Sequence, residues 1–370
     1  MKFISVMLCC LLIFSCKDRT HVEPSGDWTM KGFLKADSAN PVMSADGSLQ
    51  FICPVRDSVV HWAEKDVFNP AAVVRNDTVF LLFRAEDSIG KYAGTSRIGL
   101  AWSIDGLHFS KYAAPVLYPD NDAQNVYEWE GGCEDPRVVE DSIGVYYMTY
   151  TAYDGNTARL MVAHSADLIH WQKDGPAFTK QLNGRFTEIW SKSGSIISTY
   201  KNGTPLAVKI NGHYWMYWGD TNIFLAWSDD LISWNIVTEK PIESATPDYA
   251  IKPVFGPRNG KFDSDLVESG PPAMITDEGI LLLYNSRNVP SKGDTTLAEG
   301  TYAASQILFD KNDPAKVLQR MDTCFIRPDR AFEISGQVNQ VCFIEGLVKY
   351  HGRWFLYYGT ADSRIAVTVK

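Results

Sequence analysis

Carboxylates and guanidiniums recur at matching places in five similar stretches of this chain. The stretches begin at Phe68, Cys133, Gly203, Ser269 and Ile344, and each pairs an apolar run with a short turn and a second run rich in aromatics. At or beside their starts stand Asn69, Glu134 with Asp135, Thr204, Glu268 and Glu345. At the ends of the second runs stand Arg84 with Glu86 and Asp87, then Asp154, Asp220, Arg287 with Asn288, and Asp362. Packing asks only for turn formers and apolar residues at such places, so repeated charge points to a binding or reacting centre. Paired acids can protonate a departing oxygen and activate water, as glycoside hydrolysis requires. Several acids can instead hold a divalent cation, or form a hydrogen-bonding site of the lectin kind. The interleaved arginines weigh against a metal, because a guanidinium competes with the ion for the same oxygens. No metal or other cofactor is expected.

The elements that must position these groups are short strands. GLAWSIDGLHFS, LMVAHSADLIHW and FLAWSDDLISW follow the first three stretches, and their Ser103, Ser165 and Ser228 stand 62 and 63 residues apart. A period near that length, built from strands, marks radial blades. Turn signals at Arg75-Asn76-Asp77, Asn211-Gly212 and His351-Gly352 divide each repeat into an antiparallel meander. The prediction is an all-β, five-bladed β-propeller. In that geometry the innermost strand of each blade starts, and the second ends, on one face beside the axis, which would bring the charged positions into one pocket. The fifth repeat stops at Lys370 without an outermost strand, so the segment from about Trp28 to His61 is expected to supply it and close the ring with N-terminal chain. Trp171, Trp234 and Phe109 fill one repeated position and read as blade packing. Tyr127, Trp129, Trp190 and Trp218 are candidates for the pocket wall.

Net charge of −9 and the lack of a basic stripe exclude a nucleic-acid partner. The first residues form a separate unit: Met1-Lys2 is followed by an apolar run from Phe3 to Phe14 and by Ser15-Cys16 before polarity begins at Lys17. This resembles a bacterial lipoprotein signal, too short to span a bilayer. The expected organisation is a signal over 1–16 with lipid on Cys16, a tether over 17–27 and a catalytic propeller over 28–370. That would anchor the protein to a membrane of the bacterial cell envelope, on the periplasmic or the surface side of the outer membrane. Cys53, Cys133, Cys324 and Cys342 lack metal-ligand spacing and read as buried free thiols, with a Cys324–Cys342 disulfide as the alternative. Oligomeric state is not legible.

The run Gly131-Gly132-Cys133-Glu134-Asp135-Pro136-Arg137, with FNPAAV before it, FRAED in the first repeat and YTAYDG after it, resembles glycoside hydrolase family 130, the five-bladed mannoside phosphorylases and mannosidases. The likeness covers nearly all of the chain after about residue 60. It implies that Asp135 is the general acid, acting through the mannose 3-hydroxyl as a proton relay, and that Arg84, Glu134 and Arg137 shape the site for the terminal sugar. Asn69, Asp154, Arg287, Glu345 and Asp362 are the other expected sugar-binding residues. Phosphorylases of the family tend to carry glycine before the proline pair of the fourth blade, and further on a tyrosine-histidine-glycine whose imidazole helps to hold phosphate. Here Glu268 and Asn285 stand at those places, and the third blade ends in Asp220. A carboxylate repels phosphate and can serve as base toward water, so Asp220 or Glu268 is the expected base. Arg159 and Lys209 would be remnants of an anion site. The implied activity is an inverting, exo-acting β-mannosidase working on manno-oligosaccharides or glycan fragments. The rivals are a phosphorylase that releases mannose 1-phosphate and a non-catalytic glycan-binding propeller.

Overall fold

The computed structural model describes residues 27–239 and 251–370, so the expected signal, the lipidated Cys16 and nearly all of the tether lie outside the described residues. The chain is all-β, with single helical turns at Asn125–Glu128, Gln181–Gly184 and Ala331–Ile334. Its strands form five antiparallel meanders. The first is Asp66–Arg75, Thr78–Glu86, Ser96–Ser103 and Ser110–Lys111. The second is Gly132–Glu140, Tyr146–Tyr153, Ala158–Ser165 and Gln172–Pro176. The third runs outward through His213–Trp218, Ile223–Ser228 and Trp234–Ile236. The fourth follows through Ile280–Arg287, Tyr302–Phe309 and Val317–Arg320. The fifth is Cys342–Tyr350, Arg353–Thr360 and Arg364–Val369. Among the described residues no sheet closes on itself.

The turns follow from their residues. Asn76-Asp77, Asn211-Gly212 and His351-Gly352 all have positive φ at both positions, the two-residue turn whose twist matches that of the flanking strands. In the repeated S-x-D element, Ser103, Ser165 and Ser228 each bond the aspartate two residues on and accept the next backbone N–H groups. Trp171 and Trp234 donate their indole N–H to Leu168 and Leu231 in the same turns, which makes them packing residues.

N-terminal chain supplies the outer edge of the fifth meander. Leu34–Lys35 pairs with Val369 and Thr368, and Met43–Ser44 with Ile365 and Arg364. Side chains show how well this substitution fits. In the second meander, buried Glu128 accepts from Tyr150 Oη at 2.8 Å and from Lys173 Nζ, on the outermost strand, at 2.6 Å. In the fifth, buried Glu333 accepts from Tyr358 Oη at 2.8 Å and from Lys35 Nζ at 2.6 Å. Lys35, on N-terminal chain, therefore does for the fifth meander what Lys173 does for the second. The apolar cores lie between consecutive meanders, and one of them joins the fifth to the first: Val348, Tyr357 and Val367 pack with Val67, Leu81 and Phe83.

The third meander departs from the expected repeat. Its innermost strand is Ser195–Ile196 continued by Lys209–Ile210, both paired with His213–Trp218, and between the two pieces the chain loops out as a hairpin, Ser198–Lys201 and Thr204–Ala207. The expected start at Thr204 is thus corrected to Lys192–Ser195. The hairpin reaches all four other meanders. Leu206 pairs with Glu140, Ser198 with Met274, Val74 N donates to Thr204 Oγ1 at 2.8 Å, and Lys349 N donates to Gly203 O at 3.0 Å. Gly203 has φ +87°, and a Cβ there would lie 2.0 Å from Lys349 O. Gly203→Ala is therefore expected to destabilise the fold by about 2 kcal/mol, read as a lowered urea midpoint. An unchanged midpoint would mean that the hairpin is not seated against the fifth meander.

Candidate active site

Bulges aim the chemistry. In the first, second and fifth meanders the innermost strand slips register at one place, leaving Asn69, the Asp135-Pro136 pair and Glu345 as the extra residues. A bulge bends its strand and re-aims a side chain, and prolines 70 and 136 stand where a ladder N–H would go unused. Asn69, Asp135, Ser193 and Asp362 all lie in the left-handed region, with φ between 48° and 57°. Such strain in residues other than glycine gathers where the surrounding structure holds a side chain for function.

Asn69, Arg84, Asp135, Lys192, Glu268 and Asp362 line one cavity of about 250 Å3, with Tyr302, Phe343 and Arg287 completing its wall. Asp135 Oδ1 accepts from Asn69 Nδ2 at 2.9 Å and stands 3.4 Å from Arg84 Nη1. Lys192 Nζ lies 3.8 Å from Asp135 Oδ2 and also 3.8 Å from Glu268 Oε1. One ammonium therefore faces both acids, whose nearest oxygens cannot be further apart than the roughly 6.5–9.5 Å span of an inverting pair. Ser193 Oγ donates to Glu268 Oε1.

Burial raises the proton affinity of every acid here, and the cations decide which acids lose the proton. Burial pushes the Asp135 carboxyl up, but the Arg84 guanidinium, the Lys192 ammonium and the Asn69 amide outweigh it, so the net direction is down. Glu134 is pushed up to about 7 by burial, against the pull of Arg84 and with a push from Asp135. Asp362 is likewise pushed up to about 7, by burial first, with Arg84 opposing and Asp135 adding. Burial also raises Glu268; Lys192 opposes it and the charge of Asp220 adds to it. For Lys192, burial works against the charge, but Glu268 and Asp135 reverse the direction and hold the ammonium. The cluster thus keeps protons near neutral pH beside two fixed cations.

Several expected ligands lie elsewhere. Arg137 and Glu345 form a fully buried contact at 2.9 Å, and Arg137 also donates to the carbonyls of Ser269 and Gly270. They brace the wall from behind and do not line the cavity. Asp154 accepts from two backbone N–H groups of its own turn and from Arg159 Nη1 at 2.6 Å, while Arg159 also bonds Glu188. Lys209 lies opposite Tyr214, at the end of the third meander away from Asp220, with Nζ on Asp229 O. Neither cation is an anion-site remnant in the cavity wall. Asp220 Oδ2 accepts from Trp190 Nε1 at 2.8 Å, outside the cavity lining but near Lys192 and Glu268. Trp218 is buried, and Tyr127 and Trp129 lie under Arg159 and Arg56, so none of them walls the cavity. Cys53, Cys133, Cys324 and Cys342 are free thiols, which removes the disulfide alternative.

The sequence model of the family described as β-1,4-mannooligosaccharide phosphorylase matches residues 53–370. The chain belongs to glycoside hydrolase family 130. Among solved structures, a glycosyl hydrolase from Bacteroides ovatus is 44% identical with a TM-score of 0.88, covering 94% of this chain and 96% of its own. A second structure matches with the same figures, and its description states that the GH130 family of mannoside phosphorylases contains glycoside hydrolases that target β-1,2 mannosidic linkages in Candida mannan. A 1,2-β-oligomannan phosphorylase from Thermoanaerobacter sp. (strain X514) is 29% identical, over 83% of this chain and 90% of its own length. Family 130 proteins act on β-mannosidic linkages as phosphorylases or as glycosidases, so this chain is an enzyme acting on mannosides.

Within this family 130 fold, sequence reasoning missed Lys192, Ser193 and Tyr302. A signal for the first two was present: Lys192-Ser193-Gly194-Ser195 parallels Glu268-Ser269-Gly270-Pro271, and both runs open an innermost strand. The inserted hairpin hid it by moving the aromatic strand of the third repeat some ten residues further on.

Proposed function

We propose that this family 130 enzyme is an inverting, exo-acting β-mannosidase that hydrolyses terminal β-linked mannose, with β-1,2-mannosides as its substrate class. The observation that carries this reading is Glu268: a buried carboxylate in the same cavity as Asp135, with Lys192 Nζ 3.8 Å from an oxygen of each. Asn285, at the place of the phosphorylase histidine, is engaged on both amide atoms, donating to Ile344 O at 3.0 Å and accepting from Ile344 N at 2.7 Å. These bonds turn it to the backbone of the fifth meander, and it does not line the cavity.

A sugar seated between Lys192 and Asp135 separates the ammonium from the carboxylate, which lets Asp135 take a proton that Glu134 and Asp362 otherwise hold. Asp135 passes it, by way of the sugar 3-hydroxyl, to the departing oxygen as the bond from C1 breaks. Glu268 takes a proton from water as the water oxygen bonds to C1 from the opposite face. The negative charge of Asp220 beside Glu268 strengthens the base. Around this centre we read a five-bladed propeller, supported by the N-terminal strands on the fifth meander and by the apolar core that joins it to the first. Lipid anchoring at Cys16 and a place in the bacterial envelope belong to the same reading and are supported by the leader sequence alone.

Phosphorolysis is the second reading, favoured by Lys192 and Arg84 in the cavity and by the phosphorylase activity of the 29% identical relative. Incubation with β-1,2-mannobiose, with and without phosphate, separates them. The expected result is free mannose at an unchanged rate in both, released as the α-anomer when followed by proton NMR before mutarotation. Mannose 1-phosphate would establish phosphorolysis, and binding without turnover would establish a glycan-binding module. A β-anomeric product would mean a covalent intermediate.

A further inference from the structure

On the rim between the first and second meanders lies a hollow of about 570 Å3, more than twice the volume of the catalytic cavity. Tyr112, Tyr118, Trp171, Asp120, Asp122 and Gln124 wall it, and none of them borders the catalytic cavity. Trp171 and Lys173 of its wall flank Gln172, which pairs with His164; His164 pairs with Tyr147, and Tyr147 with Val139. The catalytic residues belong to the other end of that meander, where Gly132 pairs with Tyr153. We propose that this hollow is a second sugar-binding site, which holds rings of a neutral glycan chain away from the place of bond cleavage.

The fold makes the space, and the side chains decide its use. A hollow of about 440 Å3 lies at the matching place between the fourth and fifth meanders. Backbone bonds set the match: Leu117 bridges Ile98 as Ile326 bridges Ala304, and Tyr112 N donates to Leu100 O as Met321 N donates to Gln306 O. Tyr112 thus falls at the place of Met321, Tyr118 at that of Arg327 and Asp120 at that of Asp329. Lys173 and Lys35 are counterparts, which sets Trp171 against Phe33. Asp329 is neutralised by Lys35 at 2.5 Å and by Arg330 at 2.9 Å. Asp120 is half-buried and accepts from Asn121 N at 2.7 Å, with no ion-pair partner among the described residues. Tyrosines stand where the other hollow has a methionine and an arginine.

Three aromatic rings and an unused amide line this space. Trp171 gives its indole N–H to Leu168 O at 2.9 Å, which fixes the ring, yet it is only half-buried and lines the hollow. Trp234, at the same place in the third repeat, is fully buried. Tyr118 is braced by Phe51, whose ring centre lies 5.2 Å from its own, and Tyr112 is exposed. Gln124 Oε1 is buried with no hydrogen-bond partner among the described residues, and folded proteins seldom leave such an atom unused. A Cβ on Gly175 would crowd that oxygen at 3.3 Å, so glycine there leaves the amide its place. Aromatic rings beside amide and carboxylate acceptors suit the apolar face and the hydroxyl edge of a pyranose.

Charge makes the ligand neutral. Lys173 is the one lysine or arginine among the described residues of the wall, and its Nζ is held by Glu128 at 2.6 Å and Asp122 at 3.0 Å. Asp120 repels an acidic sugar or a phosphate. Mannosides are the expected ligand because the family's catalytic cavity acts on them, whether the nucleophile is water or phosphate. A weak site on the rim works by raising local concentration: a polymer held there keeps its other parts near the catalytic cavity.

Native gel electrophoresis through soluble polysaccharide tests the site. The wild type is expected to be retarded by β-1,2-mannan or by β-1,4-mannan and to run freely through polygalacturonate. Tyr112→Ala and Gln124→Ala should each lower the retardation at least about threefold, and Trp171→Ala more, with kcat/KM on a β-mannobiose kept within about twofold of wild type. Retardation unchanged in all three variants would assign it to the catalytic cavity and overturn the site. So would a wild type that neither mannan retards, or one that polygalacturonate retards more strongly. Loss of mannobiose turnover alongside loss of retardation would also count against it, since a change confined to the rim leaves the catalytic cavity intact. Should Trp171→Ala fail to fold, Tyr112→Ala and Gln124→Ala carry the result. An enzyme that proves to need phosphate fails the hydrolytic reading alone, and its retardation still reports on the hollow.

Discussion

Asp135→Asn is expected to fold normally and to lose at least about a hundredfold in turnover of a mannobiose, the scale set by removing a positioned general acid. The amide keeps the shape of the carboxylate and its place opposite Asn69, but carries no transferable proton. The pH profile gives this a sharper form. Glu134 and Asp362, both pushed up to about 7, hold protons below that pH and lose them above it. Proton supply to the departing oxygen is thus present on the acid side and withdrawn as pH rises through about 7, while Glu268 must be ionised and so limits the rate at low pH. Wild-type kcat/KM is expected to fall on both sides of an optimum below 7. In Asp135→Asn the alkaline fall should vanish, because there is no longer an acid for those protons to reach. Circular dichroism and steady-state rates across pH check both statements. Near-wild-type turnover would make Asp135 a structural bulge residue and dissolve the site built around it.

The sequence showed where charge repeats, and the repeat position was physically meaningful because it coincides with the bulge. Asn69, Asp135 and Glu345 occupy one slot in three innermost strands, and the structure gives all three the same register slip. What the slot cannot reveal is depth. Asn69 and Asp135 meet in the cavity, whereas Glu345 turns to Arg137 and is sealed behind the wall. Burial of that kind depends on neighbouring meanders, which one repeat does not encode. The third repeat failed for another reason. Periodicity locates a strand only while the chain between strands keeps its length, and the hairpin Ser198–Ala207 breaks the innermost strand in two. The spacing thus points to Thr204 as the start, and Lys209, expected with Arg159 as an anion-site remnant, lies away from the cavity that Lys192 lines. The N-terminal completion of the fifth meander was legible because a strand is missing from a count. That Lys35 would take the role of Lys173 was not, since the two lie in unrelated sequence and share only their contacts with Glu333 and Glu128.

Glu268→Gln should abolish most hydrolysis while leaving binding of a mannobiose nearly unchanged. The loss is expected to reach at least about a hundredfold, because glutamine keeps size and hydrogen bonding but cannot take a proton from water. Asp220→Asn should cost much less: Asp220 is held by Trp190 outside the cavity lining and reaches the reaction only through its charge on Glu268. The order of the two losses decides which acid is the base, and a larger loss for Asp220→Asn would reverse the assignment. Glu268→Ala extends the test. It opens space on the water side beside Lys192 and removes the charge that repels anions, an effect of order 1 kcal/mol or more at a few ångströms even with solvent between. Azide should then attack C1 from that side while Asp135 still protonates the leaving oxygen, yielding α-mannosyl azide and restoring part of the rate. Recovery in Glu268→Ala but not in Asp135→Asn would place the two carboxylates on opposite faces of the sugar, as a single displacement requires. Recovery of neither variant, with both still binding substrate, would remove Glu268 from the chemistry and leave Lys192 as the group facing the nucleophile, which is the arrangement that phosphate rather than water would use.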